Sequence, residues 1–168
     1  MGQVVTREAL AGAVEAARRD GRRIVLTNGV FDLLHVGHAR LLAGCRGHGD
    51  IVVVGVNGDA SVRALAKGPG RPLVPEADRA ELVAALGAVD LVTIFDEVTA
   101  HGLVALVRPH VYVKGGDYRP DGAPDDDPRP VLPEAPLVRE LGGAVVLIPV
   151  APGRSTTSLA RKMAGGTG

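Results

Sequence analysis

Short apolar runs alternate with helical patterns along most of this chain, and few folds are compatible with that alternation. The five runs occupy residues 23–28, 51–56, 91–95, 110–113 and 144–150. Between them, apolar residues recur at helical spacing. Strands separated by helices favour a parallel sheet with right-handed crossovers and helices on both faces. We therefore predict an α/β, three-layer Rossmann-like fold with a five-stranded parallel sheet.

The segments between the runs carry recognisable helix signals. Thr6 is a suitable N-cap for a helix that extends to about Asp20. Further helical patterns cover residues 75–88, 96–107 and 136–141. The length of 168 residues, of which 46% are hydrophobic, is sufficient for one core. We predict a single domain over residues 1–164, followed by a disordered tail at 165–168.

The composition argues against several classes of partner. The formal net charge is zero, so no overall field attracts a nucleic acid. The single cysteine cannot form an internal disulfide, and the sequence shows neither a signal peptide nor an apolar span of about 20 residues. We expect no nucleic-acid partner and no membrane association, with the cytoplasm as the default location.

The stretch from Thr27 to His38 lies where the first apolar run passes into a helix, and it carries two histidines, His35 and His38. A helix N-terminus there offers free backbone N–H groups and the positive end of the helix dipole to an anion. Zinc is the competing interpretation, because Cys45 and His48 follow. The seven steps from His38 to Cys45 span about 10 Å of helix, which is too far for one ion. We therefore expect a phosphate site here and a core thiol at Cys45.

Other polar stretches also follow the apolar runs, where ligands bind on parallel sheets. The turn Asn57-Gly58-Asp59 either caps the next helix or contacts a sugar phosphate. Lys67 lies in a glycine- and proline-rich loop and is either a solvated cation or a group that neutralises phosphate charge. Arg79 is either a surface ion-pair residue or a phosphate ligand, and the surface interpretation is slightly favoured.

Two further stretches, at residues 115–116 and 154–156, also have both a structural and a ligand-binding interpretation. Gly115 and Gly116 follow the fourth run and allow either an exit turn or a close approach to a ligand. Near the carboxyl terminus, Arg154, Ser155 and Thr156 form either an ordinary helix start or an anion pocket. The acidic residues 125–127 indicate a metal site only weakly and are expected to be exposed.

The combination Gly29-x-Phe31-Asp32 and His35-x-Gly37-His38 resembles the signature of the HxGH nucleotidyltransferase superfamily, which is cytidylyltransferase-like. Within it, the chain is similar to the enzymes that transfer AMP to a heptose 1-phosphate. Four further stretches carry this similarity, namely residues 57–59, 67–68, 113–118 and 153–157. The resemblance implies that ATP and D-glycero-D-manno-heptose 1-phosphate give ADP-heptose and pyrophosphate, with Mg²⁺ as the cofactor.

The resemblance also implies roles for individual residues. The expected catalytic residues are His35, His38 and Lys67. The expected nucleotide-binding residues are Asn28, Gly29, Phe31, Gly37, Lys114, Gly115, Asp117, Arg154, Ser155 and Thr156. The expected sugar-phosphate residues are Asp32, Asn57, Asp59 and Arg79, and no protein ligand is assigned to the metal.

Alternatives to this assignment remain open at the level of sequence. The HxGH string also fits glycerol-3-phosphate cytidylyltransferase and pantetheine-phosphate adenylyltransferase, and a non-catalytic nucleotide-binding module is the alternative of another class. Relatives of the heptose type often carry a fused sugar-kinase domain. Only about twenty residues precede the first apolar run here, so we expect a separate sugar kinase in the pathway, and we expect a homo-oligomer.

Overall fold

A computed structural model describes residues 1–65, 70–116, 118–119, 123–124 and 126–149. Its strands are β1 (Gln3–Val4), β2 (Ile24–Gly29), β3 (Ile51–Asn57), β4 (Leu91–Phe95), β5 (Val111–Gly115) and β6 (Ala144–Ile148). Its helices are α1 (Arg7–Arg19), α2 (Val36–Arg46), α3 (Asp59–Ala64), α4 (Glu76–Ala84), α5 (His101–Val107) and α6 (Ala135–Glu140). The strands form one sheet in the order β1-β4-β3-β2-β5-β6, and all neighbouring pairs are parallel. The Rossmann-like prediction is confirmed.

The predicted number of strands is wrong by one. All five apolar runs form strands, and the additional strand is β1, which pairs Gln3 with Leu91 and Val4 with Val92 at the edge of the sheet. Two exposed residues carry no recognisable apolar pattern, so this strand depends on its pairing with β4 rather than on its own sequence.

The helices agree with their sequence signals except at some ends. Thr6 caps α1 by accepting a hydrogen bond from the Ala9 backbone N–H at 3.2 Å, and Asp20 is the C-cap, as predicted. By contrast, α5 begins at His101 rather than Asp96, because residues 96–100 leave β4 through bends. Among the described helices, none is long and apolar enough to cross a lipid bilayer.

Two apolar clusters lie on opposite faces of the sheet. One includes Leu26, Phe95 and Tyr112 with residues from α1, α5 and α6. The other includes Phe31 and Cys45 with residues from α2 and α4. Burial raises the pKa of the Cys45 thiol to about 12, so this side chain is the core thiol that the sequence predicted.

The order of the strands places a crevice at one edge of the sheet. From β2 the chain builds outward through β3 and β4, and it then returns to β5 on the other side of β2. In doubly wound sheets, ligands bind beyond the carboxyl ends of the strands at such a reversal. β2 and β3 share six paired positions, whereas β2 and β5 share only Val25 with Val111 and Leu26 with Tyr112. The crevice therefore opens between β2 and β5.

Candidate active site

His35 is the N-cap of α2, at the carboxyl end of the loop that leaves β2. Its backbone is extended, and its Nδ1 accepts a hydrogen bond from the Gly37 backbone N–H at 3.1 Å. Because Nδ1 acts as the acceptor, the neutral ring carries its proton on Nε2. The cap therefore fixes both the orientation of His35 and the nitrogen that can donate to a ligand.

His38 lies one turn further along α2 and stacks on His35. Their ring centroids are 3.9 Å apart with planes inclined by 25°, and the ring of Phe31 is 5.1 Å from that of His38. Burial, followed by the effect of His35, lowers the pKa of His38 to about 4. Burial also lowers the pKa of His35. At neutral pH both rings are uncharged and present polarised N–H groups.

The loop before α2 brings Phe31 under the histidines. Phe31 has a φ of 52°, in the left-handed region that a bulky residue seldom occupies, and its side chain is buried. A Cβ atom at Gly29 would lie 3.1 Å from the Phe31 ring. Glycine therefore leaves room for the ring that supports His38, and the end of β2 borders the histidine pair.

A second group of polar side chains joins β2 to β5 across the crevice. The Tyr112 hydroxyl donates to Asn28 Oδ1 at 2.5 Å, and Lys114 Nζ donates to the same oxygen at 3.0 Å and to the Asn28 carbonyl oxygen at 3.1 Å. Two of the predicted nucleotide-binding residues, Asn28 and Lys114, are thus in direct contact. Gly115 is the last residue of β5.

Asp32 holds the segment before α4. Its carboxylate pairs with Arg71 and accepts backbone N–H groups from Leu73 at 2.7 Å and Val74 at 2.9 Å. Burial alone raises the pKa of Asp32, but the hydrogen bonds from Arg71, Val74 and Leu73 hold it below its usual range. Both carboxylate oxygens are engaged with this segment.

Arg79 is fully buried, so the preference for a surface ion pair is wrong. Its Nε donates to the Val74 carbonyl at 2.8 Å, and its Nη1 donates to the carbonyls of Val30 at 2.5 Å and Asn57 at 2.8 Å. Its Nη2 pairs with Asp59 Oδ1 at 2.6 Å. One guanidinium therefore joins the loop after β2, the end of β3, the start of α3 and the segment before α4.

The turn after β3 is built differently from an ordinary helix cap. Gly58 is the N-cap of α3, and α3 has no side-chain cap. Asn57 Nδ2 donates to Ser61 Oγ at 3.1 Å, while the Asp59 backbone N–H donates to Glu76 Oε2 at 2.5 Å. The turn therefore caps α3 through Gly58, while the side chains of Asn57 and Asp59 contact Ser61 and Arg79.

A cleft of about 390 Å³ lies at the carboxyl ends of the strands, beside Gly29. Its described lining is polar on several sides and consists of Asn28, Gly29, Val30, Asn57, Leu65, Val98, Thr99, Lys114, Tyr118, Pro133 and Glu134. Of the four predicted sugar-phosphate residues, only Asn57 lines this cleft. Direct substrate contact by Asp32, Asp59 and Arg79 stays a prediction, and their observed contacts hold together the segments around the site.

Thr99 and Glu134 are cleft residues that the sequence did not reveal. Glu134 Oε1 accepts the Ala100 backbone N–H at 2.9 Å, a contact between residues 34 positions apart. No local motif marks such a pair, and only the packing of α5 against α6 brings them together.

Among the residues that the structure describes, no group of three or more His, Cys, Asp or Glu side chains is arranged to hold a metal ion. His35, His38, Cys45 and His48 all lie in the described part of the chain, and they do not form the zinc centre that was considered from the sequence. The predicted site residues Lys67, Asp117, Arg154, Ser155 and Thr156 lie outside the described residues.

Comparison with known proteins places this site in a family. The family model described as cytidylyltransferase-like matches residues 26–161, which include the strand, loop and histidine pair described above. The chain belongs to the cytidylyltransferase-like family.

Individual relatives are similar over most of this cytidylyltransferase-like chain. It is 47% identical over 156 residues to the bifunctional protein HldE of Geobacter metallireducens, covering 93% of this chain and 30% of that protein. It is 49% identical over 160 residues to HldE of Koribacter versatilis, covering 95% and 31%. The chain thus spans about a third of the length of these curated relatives.

A solved structure shows the same fold. The lipopolysaccharide core biosynthesis protein of Thermoplasma volcanium aligns with a TM-score of 0.60 and 28% identity, covering 78% of this chain and 98% of that one.

Proposed function

We propose that the chain transfers AMP from ATP to a sugar 1-phosphate and releases pyrophosphate. The observation that carries this proposal is the stacked pair of His35 and His38 at the start of α2, in a chain of the cytidylyltransferase-like family. Two neutral imidazoles and a helix N-terminus supply preorganised donors for phosphate oxygens. They need no reorganisation when negative charge develops in the transition state.

The reaction requires no nucleophilic side chain. An oxygen of the acceptor phosphate attacks the α-phosphorus of ATP, and the bond from that phosphorus to the bridging oxygen of the β-phosphate breaks. The electron pair of the broken bond leaves with pyrophosphate. His35 donates from Nε2, the nitrogen left protonated by its hydrogen bond with Gly37, and His38 stands beside it against Phe31. Both rings stabilise charge on non-bridging oxygens.

Magnesium fits this site as a partner of the triphosphate. Mg²⁺ usually keeps several waters and binds through substrate phosphates with one or two carboxylates. The nearby carboxylate of Asp32 is engaged by Arg71, Leu73 and Val74, so it is not a ready ligand. We propose that the ion enters with ATP as substrate and shields the charge of the triphosphate. On sequence grounds we also propose Lys67, Arg154, Ser155 and Thr156 as phosphate ligands.

The proposed acceptor is D-glycero-D-manno-heptose 1-phosphate. The resemblance of the sequence motifs to heptose 1-phosphate adenylyltransferases supports this choice, as do the similarities to HldE proteins at 44–49% identity. The supply of such an acceptor requires a separate phosphorylation step by a sugar kinase.

The test combines ATP, CTP, GTP and UTP with heptose 1-phosphate, glycerol 3-phosphate and phosphopantetheine, with Mg²⁺ present. Pyrophosphate release and product mass are measured for each pair. We expect ADP-heptose from ATP and heptose 1-phosphate. Efficient CDP-glycerol formation without ADP-heptose would instead establish a cytidylyltransferase. Nucleotide binding without pyrophosphate from any pair would support a non-catalytic module.

A further inference from the structure

The cleft beside Gly29 has a lining whose chemistry differs from that of the histidine pair. We propose that it binds the hydroxyl-bearing part of the acceptor, and that Glu134 is the residue that selects a polyol there. This inference rests on the proposed function, because it names the site of the second substrate. Neither Glu134 nor Thr99 is part of the histidine motif.

The position of the cleft suits the acceptor. Gly29 lines the cleft and also faces the ring of Phe31, which packs against His38. Attack and departure at phosphorus are roughly in line, so the acceptor and the leaving pyrophosphate lie on opposite sides of the α-phosphate. With the triphosphate at the start of α2, an acceptor in the cleft reaches the α-phosphate across Gly29.

Glu134 places a carboxylate in the wall of the cleft, although only 5% of the residue is exposed. One oxygen, Oε1, accepts the Ala100 N–H, and the carboxylate also forms a hydrogen bond with the Tyr112 side chain. A carboxylate has about four acceptor positions, and a buried one is costly when these are unfilled. The pKa of Tyr118, which also lines the cleft, is raised first by burial and second by the negative charge of Glu134. Substrate hydroxyl groups are suitable donors for its remaining acceptor positions.

Thr99 adds a second hydrogen-bond acceptor to the cleft, and its contact with His101 shows how. His101 Nε2 lies 3.1 Å from the Pro133 carbonyl oxygen, which can only accept, so this nitrogen is the donor in that contact. His101 Nδ1 lies 2.9 Å from Thr99 Oγ1, and a hydroxyl oxygen has two lone pairs, of which this contact uses at most one. Thr99 Oγ1 is left with at least one lone pair for a ligand.

Asn57, which also lines the cleft, contributes a further hydrogen-bond acceptor. Its Nδ2 donates to Ser61 Oγ, which leaves Oδ1 as an acceptor. Thr99, Glu134 and Asn57 thus give the lining of the cleft three hydrogen-bond acceptors. Each hydroxyl of the acceptor sugar can donate a hydrogen bond to these groups, whereas a phosphate is an anion that Glu134 repels. The phosphate end of the acceptor is therefore directed toward Gly29 and the ammonium group of Lys114.

The test compares Glu134→Gln and Thr99→Val with the wild-type chain. Glu97→Gln is the matched control, because Glu97 is an exposed carboxylate that pairs with Arg7 outside the cleft lining. The KM values for heptose 1-phosphate and for ATP are measured separately, and circular dichroism verifies folding. Acceptor binding is also measured by calorimetry in the presence of a non-hydrolysable ATP analogue.

We expect Glu134→Gln to raise the KM for heptose 1-phosphate about tenfold or more and to leave the KM for ATP within about twofold, because a charge-assisted hydrogen bond is lost. Thr99→Val should raise the same KM by a smaller factor, and the control should change neither. A raised KM for ATP with unchanged acceptor KM would overturn the assignment, as would wild-type kinetics in both cleft variants. If wild type binds the sugar phosphate but forms no product, the proposed function fails, while weaker binding to Glu134→Gln would still support the cleft.

Discussion

Replacement of Arg79 tests whether one buried guanidinium positions the site. Arg79→Lys retains the positive charge, but one ammonium cannot reproduce a planar fork that reaches the carbonyls of Val30, Asn57 and Val74 and the carboxylate of Asp59. Hydrogen bonds that involve a charged group contribute about 1.5–3 kcal/mol each. With two of the four lost and partial compensation by water, we expect the free energy of unfolding to fall by about 2–4 kcal/mol.

The fall in kcat caused by Arg79→Lys should be larger than the fraction of unfolded protein alone would explain. The loop from Val30 to Phe31 leads directly into the histidine pair, so kcat should fall about tenfold or more even at temperatures where the variant is fully folded. Urea unfolding gives the stability change, and steady-state assays with ATP and acceptor varied separately give the kinetic change.

Arg46→Lys is the matched control for this experiment. Arg46 also donates to two carbonyls, those of Asp50 and Ala88, and it pairs with Asp90, but it lies at the amino ends of the strands. Its side chain is 36% exposed, so we expect a loss of about 1 kcal/mol or less and an unchanged kcat. Equal stability and equal kcat for Arg79→Lys and wild type would refute the positioning role.

Two further predictions concern the histidine pair. His35→Ala and His38→Ala should each lower kcat by about 10² or more while the fold is retained, because a preorganised donor is lost, and near-normal turnover in a steady-state assay would contradict the catalytic assignment. The folded-state pKa of His38, about 4, lies below its ordinary value near 6.5, so protons favour the unfolded state, and stability present above pH 6.5 should decline as the pH falls toward 4. After allowance for solvent screening of this half-buried ring, the loss at pH 5 should be on the order of 1 kcal/mol. Urea unfolding of wild type and His38→Gln at pH 7.5 and 5 isolates this contribution from that of His35, and an equal pH dependence in both proteins would exclude it.

The parts of the molecule that could be predicted from sequence are those determined by local pattern. The first four apolar runs form strands whose residues are largely buried on the sheet, and the fifth forms the half-buried strand β6. Cys45 is in the core because it follows the helical spacing of Leu42. The HxGH string indicated the histidine pair correctly as a helix start, since an N-cap and its first turn involve only neighbouring residues.

The parts that could not be predicted depend on contacts between distant segments. Arg79 looks like a solvated helix residue until the carbonyls of Val30 and Asn57 surround it. The edge strand β1 exists only through β4, and Glu134 enters the cleft only because α6 packs near the start of α5. For Arg79 and Glu134 the sequence shows the chemical group, and tertiary contacts determine its role. For β1, tertiary contacts determine that the strand forms at all.

The short pairing between β2 and β5 has a consequence for the width of the site. Beyond Leu26 and Tyr112 the two strands no longer share a paired register, and the side chains of Tyr112 and Lys114 span the separation by reaching Asn28. Side-chain length, rather than the fixed spacing of a backbone ladder, therefore sets the opening between the two halves of the sheet. Substitutions at these three positions can adjust the aperture for substrates of different size while the strand pairs on either side stay unchanged.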